Sequence, residues 1–180
     1  MKVIAIGGEP GAGKTTLMKK LISSLGVEPK YDAVKLVPYL QKDNVYVLGK
    51  YEEGEVFAGT DRMSMAVQPE AIKFLATLPE DSIVLYEGDR LFTASFLEDC
   101  LDKYDLKIVY LSTTKDVRKE RYAERGSNQN ETWLAGRESK VANILGNLVL
   151  TWSVIKYKNN SLIDQEIIYN EIMGMIDGKN

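Results

Sequence analysis

A three-layer α/β fold, with a mainly parallel sheet of five strands and helices on both faces, is what this sequence predicts, from three features. Short apolar, β-rich runs alternate with longer segments of helical period, the pattern of parallel β/α layering. The first run, Val3-Ile4-Ala5-Ile6, passes straight into Gly7 and Gly8. A later one, Ile83-Val84-Leu85-Tyr86, ends in Glu87-Gly88-Asp89-Arg90. Apolar strands that deliver glycine or carboxylates at their ends place binding chemistry along the carboxyl edge of such a sheet.

Taken in order, strands are expected at residues 2–6, 33–37, 82–86, 107–111 and 154–157, and helices at 14–25, 66–78, 94–104, 115–125, 131–151 and 162–176. Gly26, Pro79 and Gly126 supply helix stops, and Ser161 with Asp164 forms a capping box for the last helix. One stretch departs from the alternation. Val45-Tyr46-Val47-Leu48 and Glu55-Val56-Phe57-Ala58, separated by a loop from Gly49 to Gly54, predict an antiparallel hairpin inserted at about 45–58. Such an insert either shapes an acceptor pocket or only covers a sheet edge.

The 180 residues suit a single domain spanning 1–180. At 44% apolar and 27% charged residues the mixture is that of a soluble globular chain, and no apolar run approaches the length of a membrane span. The N-terminus reads as a strand and lacks a signal peptide's cleavage region, so a cytoplasmic location with no membrane partner is expected, the host's cytoplasm for a phage-encoded protein. The single cysteine, Cys100, has no partner for an internal disulfide and suits the core face of a helix. Histidine is absent. Catalysis by a histidine base or a Ser-His-Asp triad is thereby excluded, leaving carboxylates, lysine, arginine, backbone amides and a hard metal ion. A net charge of −3 advertises no broad nucleic-acid surface, although a local basic cleft fits within it.

The strongest chemical signal runs from Gly8 through Glu9, Pro10, Gly11, Ala12, Gly13 and Lys14 to Thr15, which satisfies G-x-x-x-x-G-K-[ST] between a predicted strand and a predicted helix. Its small residues let backbone N–H groups converge on the β-phosphate of a nucleotide, aided by the positive end of the helix that Thr16 continues. Lys14 would bridge the β- and γ-phosphates and Thr15 would ligate Mg²⁺. Glu87 is the first candidate for the carboxylate that holds the metal from the later strand, and Asp89 the second. Asp61, in Gly59-Thr60-Asp61-Arg62, is a candidate general base or an aspartate that bonds its own turn. Arg62 and Arg90 could each grip an acceptor phosphate or serve as ordinary ion-pair partners. Arg118, Arg121 and Arg125 recur at i, i+3 and i+7. On one helix face they could close as a lid over residues 115–140, with Arg118 on the nucleotide and Arg121 and Arg125 on the transferring phosphate. Gly126 to Asn130 would form its tip, and Arg137 and Lys140 follow on the return helix. An ion-paired surface helix has the same composition.

With these motifs the sequence resembles the P-loop kinases of nucleosides and nucleotides. The resemblance implies a five-stranded parallel sheet in which the Glu87 strand lies beside the P-loop strand, ATP as donor and Mg²⁺ as its ion. Gly8-Glu9-Pro10, Gly59 to Ala66 and Glu87 to Arg90 together are similar to phage kinases that phosphorylate 5-hydroxymethyluracil already in DNA, which implies modified DNA as acceptor. The acidic pI of about 5.2 fits a free nucleoside or monophosphate better. A regulatory NTPase with water as acceptor is the reading from another class. Its GTP-switch form needs N/T-K-x-D, and Thr114-Lys115-Asp116-Val117 has valine in place of the second acid.

Overall fold

The computed structural model describes residues 1–55, 57–124 and 130–178. Its elements are β1 (Lys2–Gly8), α1 (Lys14–Leu25), β2 (Glu28–Lys30), β3 (Tyr39–Lys42), β4 (Val45–Leu48), α2 (Val67–Leu75), β5 (Ile83–Glu87), α3 (Ala94–Lys103), β6 (Asp105–Ser112), α4 (Lys115–Glu124), α5 (Glu131–Leu145), β7 (Val154–Lys158) and α6 (Leu162–Ile176). They build one seven-stranded sheet in the order β2-β3-β4-β5-β1-β6-β7. Strands β4, β5, β1, β6 and β7 run parallel, and β3 and β2 extend the sheet antiparallel beyond β4. Five parallel strands are therefore present, the number expected, although one of them is β4 rather than residues 33–37, and two edge strands are added.

Alternation along the central strand sorts the layers. Val3 and Ala5 of β1 pack into one core with Val67 and Phe74 of α2, Phe96 and Cys100 of α3 and Ile144 of α5. Ile4 and Ile6 point to the other face, against Leu17 and Leu21 of α1 and Ile168 and Ile172 of α6. Strand β1 is buried along nearly its whole length, as a central parallel strand covered on both sides must be. Burial also pushes the Cys100 thiol up to about 12, so this cysteine is an inert piece of core.

The expected second strand at 33–37 is not one. Leu36 sits at φ 64, the Val37 N–H turns back to the Val34 carbonyl, and Pro38 follows, so this apolar stretch is a turn whose valines still pack on the core. Its place beside β5 goes to β4. The hairpin is likewise displaced: β4 pairs with β3 across the two-residue turn Asp43-Asn44, with Asp43 at φ 51, rather than with residues 55–58. Of the expected second arm, Val56 lies outside the described residues, and an isolated bridge between Lys50 and Gly59 closes the loop.

Helix ends follow local chemistry. Thr93 caps α3 by accepting the Phe96 N–H, Asn130 caps α5 by accepting the Trp133 N–H, and the Ser161–Asp164 capping box is formed. The expected run to residue 151 stops at Leu145, because Asn147 Oδ1 accepts the Val149 N–H at 3.0 Å and turns the chain after Gly146. Helix α2 also ends earlier, at Leu75. Among the described residues no helix is long and apolar enough to cross a membrane.

Candidate active site

The carboxyl ends of β1 and β5 lie side by side, with Ile6 in register with Glu87, so the loop that follows β1 opens beside that carboxylate. Gly13 holds φ 87 at the entry to α1, and a Cβ there would stand 2.5 Å from Asn159 Nδ2, which explains why only glycine fits. Lys14 Nζ donates to the carbonyls of Gly8 at 2.8 Å and Glu9 at 3.1 Å, and so lies folded along its own loop. Thr15 Oγ1 donates to Glu87 Oε1 at 2.9 Å. Glu87 is only 2% exposed.

Behind the loop, four contacts fix its curvature. Asn159, at the end of β7 and fully buried, donates from Nδ2 to the Ala12 carbonyl at 2.8 Å. Arg121 of α4 donates from Nη1 to the Gly11 carbonyl and from Nη2 to the Asn159 carbonyl, each at 2.9 Å. The Tyr122 hydroxyl donates to the Pro10 carbonyl at 2.7 Å, and the Tyr110 hydroxyl to Glu9 Oε1 at 2.6 Å. Arg121, expected over the transferring phosphate, is in this conformation a strut between the loop and the end of β7. Arg118 lies beside Gly11 and pairs with Glu138 of α5 at 2.7 Å. Arg125 and the tip at 126–129 lie outside the described residues.

In front of the loop opens a cavity of about 670 Å³. Gly8, Pro10, Gly11, Lys14, Thr15 and Thr16 form one wall, and Asp61, Glu87, Asp89, Phe57, Trp133 and Arg137 contribute to the others. Asp61 Oδ1 accepts the Asp89 N–H at 2.7 Å, which anchors the carboxylate to the turn after β5. Burial raises its pKa, against the pull of Arg137, Lys14, Arg90 and Lys140. The same low-dielectric surroundings lower the pKa of Lys140, with Arg137 and Arg90 adding repulsion. Asp61 thus shares the cavity with Lys14 and feels its charge.

The remaining candidates are already partnered. Asp89 forms an ion pair with Arg137, whose guanidinium also lies 4.8 Å from the Trp133 ring centre, while Lys140 Nζ donates to the Asp89 carbonyl at 2.6 Å. Asp89 is thereby tied to α5. Arg90 donates to the Met63 carbonyl at 3.3 Å, and Arg62 pairs with Glu52 at 2.8 Å and Glu55 at 3.7 Å. Neither arginine lines the cavity.

The oxygens present suit a magnesium ion. Thr15 and Glu87 place a hydroxyl and a carboxylate together beside the phosphate loop, and Mg²⁺ takes only one or two protein oxygens, the rest coming from phosphates and water. Among the described residues no cluster of three or more acids or thiols offers a fuller cage. Several residues escaped the sequence reading: Asn159, Tyr51, Trp133, Phe57 and Tyr122. Asn159-Asn160 directly after a parallel strand is a usable signal, since polar residues at that edge face the ligand crevice. The others carry no motif.

The fold and this site define a P-loop phosphotransferase. Residues 1–157 match the model of the family described as P-loop Nucleotide Kinase3, and the chain belongs to that family. A search of curated proteins finds no match. Among solved structures, an uncharacterized protein from Eubacterium ventriosum matches 98% of this chain and 99% of its own at 17% identity and TM-score 0.52. Shikimate kinase from Acinetobacter baumannii, solved with shikimate, matches 99% of this chain and 94% of its own at 16% identity and TM-score 0.53. At such identities the likeness concerns the fold.

Proposed function

We propose that this enzyme transfers the γ-phosphate of ATP to a hydroxyl of a nucleotide-like acceptor, with Mg²⁺ held by Thr15 and Glu87. The observation that carries the reading is the shared cavity of Lys14 and Asp61, a phosphate cradle and a desolvated carboxylate bounding one space. The ion would neutralise charge on the phosphates. The chain's own residues do the rest. The loop's N–H groups and Lys14 hold the donor, Asp61 orients the acceptor hydroxyl and takes its proton, and Arg137 is a cation close enough to swing toward an anionic acceptor group.

The half-exposed ring of Phe57 and the ring of Trp133 in the cavity walls supply faces on which a planar base can stack, which supports a nucleobase-bearing acceptor. Within that class, the similarity of Gly59 to Ala66 and Glu87 to Arg90 to phage enzymes makes 5-hydroxymethyluracil in DNA the favoured acceptor. The net charge of −3 favours a second reading, a free nucleoside or its monophosphate. Incubation with γ-labelled ATP and a panel of hydroxymethyluracil DNA, nucleosides, monophosphates, shikimate and simple sugars tests both. Label in a base-bearing product supports the reading. Label confined to a sugar, to shikimate or to released phosphate sinks it.

A further inference from the structure

We propose that Tyr51 is a positioning residue for Glu87: once nucleotide and magnesium are bound, its buried hydroxyl donates a hydrogen bond to the Glu87 carboxylate and holds it toward Thr15. The inference rests on the kinase reading of the site and adds to it a residue that no motif contains.

The geometry converges on Gly59. This residue holds φ 68, and a Cβ built on it would stand 2.9 Å from Glu87 Oε1 and 3.0 Å from the Tyr51 hydroxyl. The two oxygens therefore border the same small gap, which stays open because residue 59 has no side chain. Tyr51 is fixed there by its backbone. Its N–H donates to the Tyr31 hydroxyl at 3.0 Å, and the preceding Lys50 exchanges two backbone hydrogen bonds with Gly59, at 2.8 and 3.2 Å.

Despite this anchoring, the Tyr51 hydroxyl is buried with no hydrogen-bond partner among the described residues. A buried donor left unpaired is costly and calls for an explanation, and a positioning role in a second state of the site supplies one. The Thr15 hydroxyl already occupies Glu87 Oε1 in this conformation. With the site loaded, the Thr15 oxygen would serve the ion, and the nearby phenol would be the replacement donor to Glu87. Burial first, then the charges of Glu87 and Asp61, hold its pKa well above the ordinary tyrosine value, so the phenol keeps the proton that such a bond needs. Because the loop that carries Tyr51 also brings Gly54, Glu55, Phe57 and Ala58 to the cavity, the contact ties the acceptor wall to the metal-binding carboxylate.

The test is Tyr51→Phe, which removes one oxygen. Calorimetric titration with a non-hydrolysable ATP analogue is run with and without Mg²⁺, beside thermal denaturation of the ligand-free protein. Metal-free affinity is expected within about twofold of wild type, while the affinity gained on adding Mg²⁺ drops about tenfold, the order of a hydrogen bond to a charged group. The ligand-free Tm is expected unchanged or slightly higher, since an unsatisfied hydroxyl has gone. A magnesium gain equal to wild type overturns the proposal, as does a lowered Tm with metal-free and metal-loaded affinities falling in step. If wild type shows no magnesium gain at all, the kinase reading fails and this inference with it. A wild-type gain that Tyr51→Phe retains removes this inference alone.

Discussion

At the scale of single residues, two side chains that line the cavity bear opposite expectations. Lys14 donates to the backbone carbonyls of Gly8 and Glu9, and it bounds an open cavity. Lys14→Ala is therefore expected to fold normally and lose on the order of 100-fold or more in transfer rate, the usual consequence of removing a preorganised charge at a phosphoryl centre. Near-wild-type turnover in the γ-phosphate assay would contradict it. Asp61 behaves differently because its environment disfavours its charge. Its folded pKa is raised, so the folded state holds the proton more tightly than the unfolded chain, and stability is lost as pH rises from the unfolded value through the folded one. Asp61→Asn keeps an oxygen for the Asp89 N–H and removes that penalty. The variant should melt higher than wild type at neutral pH, with the difference vanishing below the ordinary carboxylate range, while transfer falls roughly 100-fold through lost positioning and lost proton acceptance. A lower Tm at neutral pH, or unchanged turnover, would return Asp61 to the role of a turn residue.

At the scale of elements, the helices that follow β6 and β5 were legible in the sequence, and what they grip was not. Arginines at i, i+3 and i+7 mark a shared face of α4, but composition cannot say whether that face meets phosphate, solvent or the loop's own carbonyls. The structure shows one guanidinium spanning Gly11 and Asn159. Arg121→Ala should therefore lower stability and nucleotide affinity together, by about 2 kcal/mol for two charged hydrogen bonds, which is roughly 4–8 °C in Tm for a chain of this size. Thermal denaturation beside nucleotide titration reads both. A fall in kcat with Tm and affinity unchanged would instead put this guanidinium on the transferring phosphate. The hairpin teaches a related limit. Two apolar runs flanking a glycine loop looked like paired arms, yet β4 is claimed by β5 on one side and β3 on the other, so its hydrogen bonds are spent before residues 55–58 can compete. Residues 33–37 failed as a strand for a local reason, the turn at Leu36 ahead of Pro38, which a β-rich composition conceals.

At the scale of the whole molecule, two strand ends were legible by their chemistry, glycine after β1 and a carboxylate on β5, while their lying side by side was implied by the resemblance to P-loop kinases, and the polar pair after β7 went unread. What stayed hidden depends on approach across the chain, as with Asn159 reaching Ala12 over a separation of 147 residues, or Tyr51 and Glu87 bordering the same gap at Gly59. Those contacts make the phosphate loop a junction. It rises from the central strand, is paired through Thr15 to β5, through Tyr110 to β6, and through Asn159 and Arg121 to β7 and α4. A ligand that binds this junction only when it is assembled must stabilise the sheet as a whole. At about 100 times its Kd, such a ligand adds about 2.7 kcal/mol, or roughly 5–10 °C in Tm. A non-hydrolysable ATP analogue with Mg²⁺ is expected to give that shift in one cooperative transition, and Lys14→Ala to lose most of it. Asn159→Ala should do so by a separate route, lowering the ligand-free Tm as well, because it frees the Ala12 carbonyl from a fully buried partner. Differential scanning calorimetry distinguishes the two variants. An analogue that leaves wild-type Tm unmoved at saturating concentration would mean that the loop does not bind nucleotide, and a shift that Lys14→Ala retains in full would place the nucleotide elsewhere.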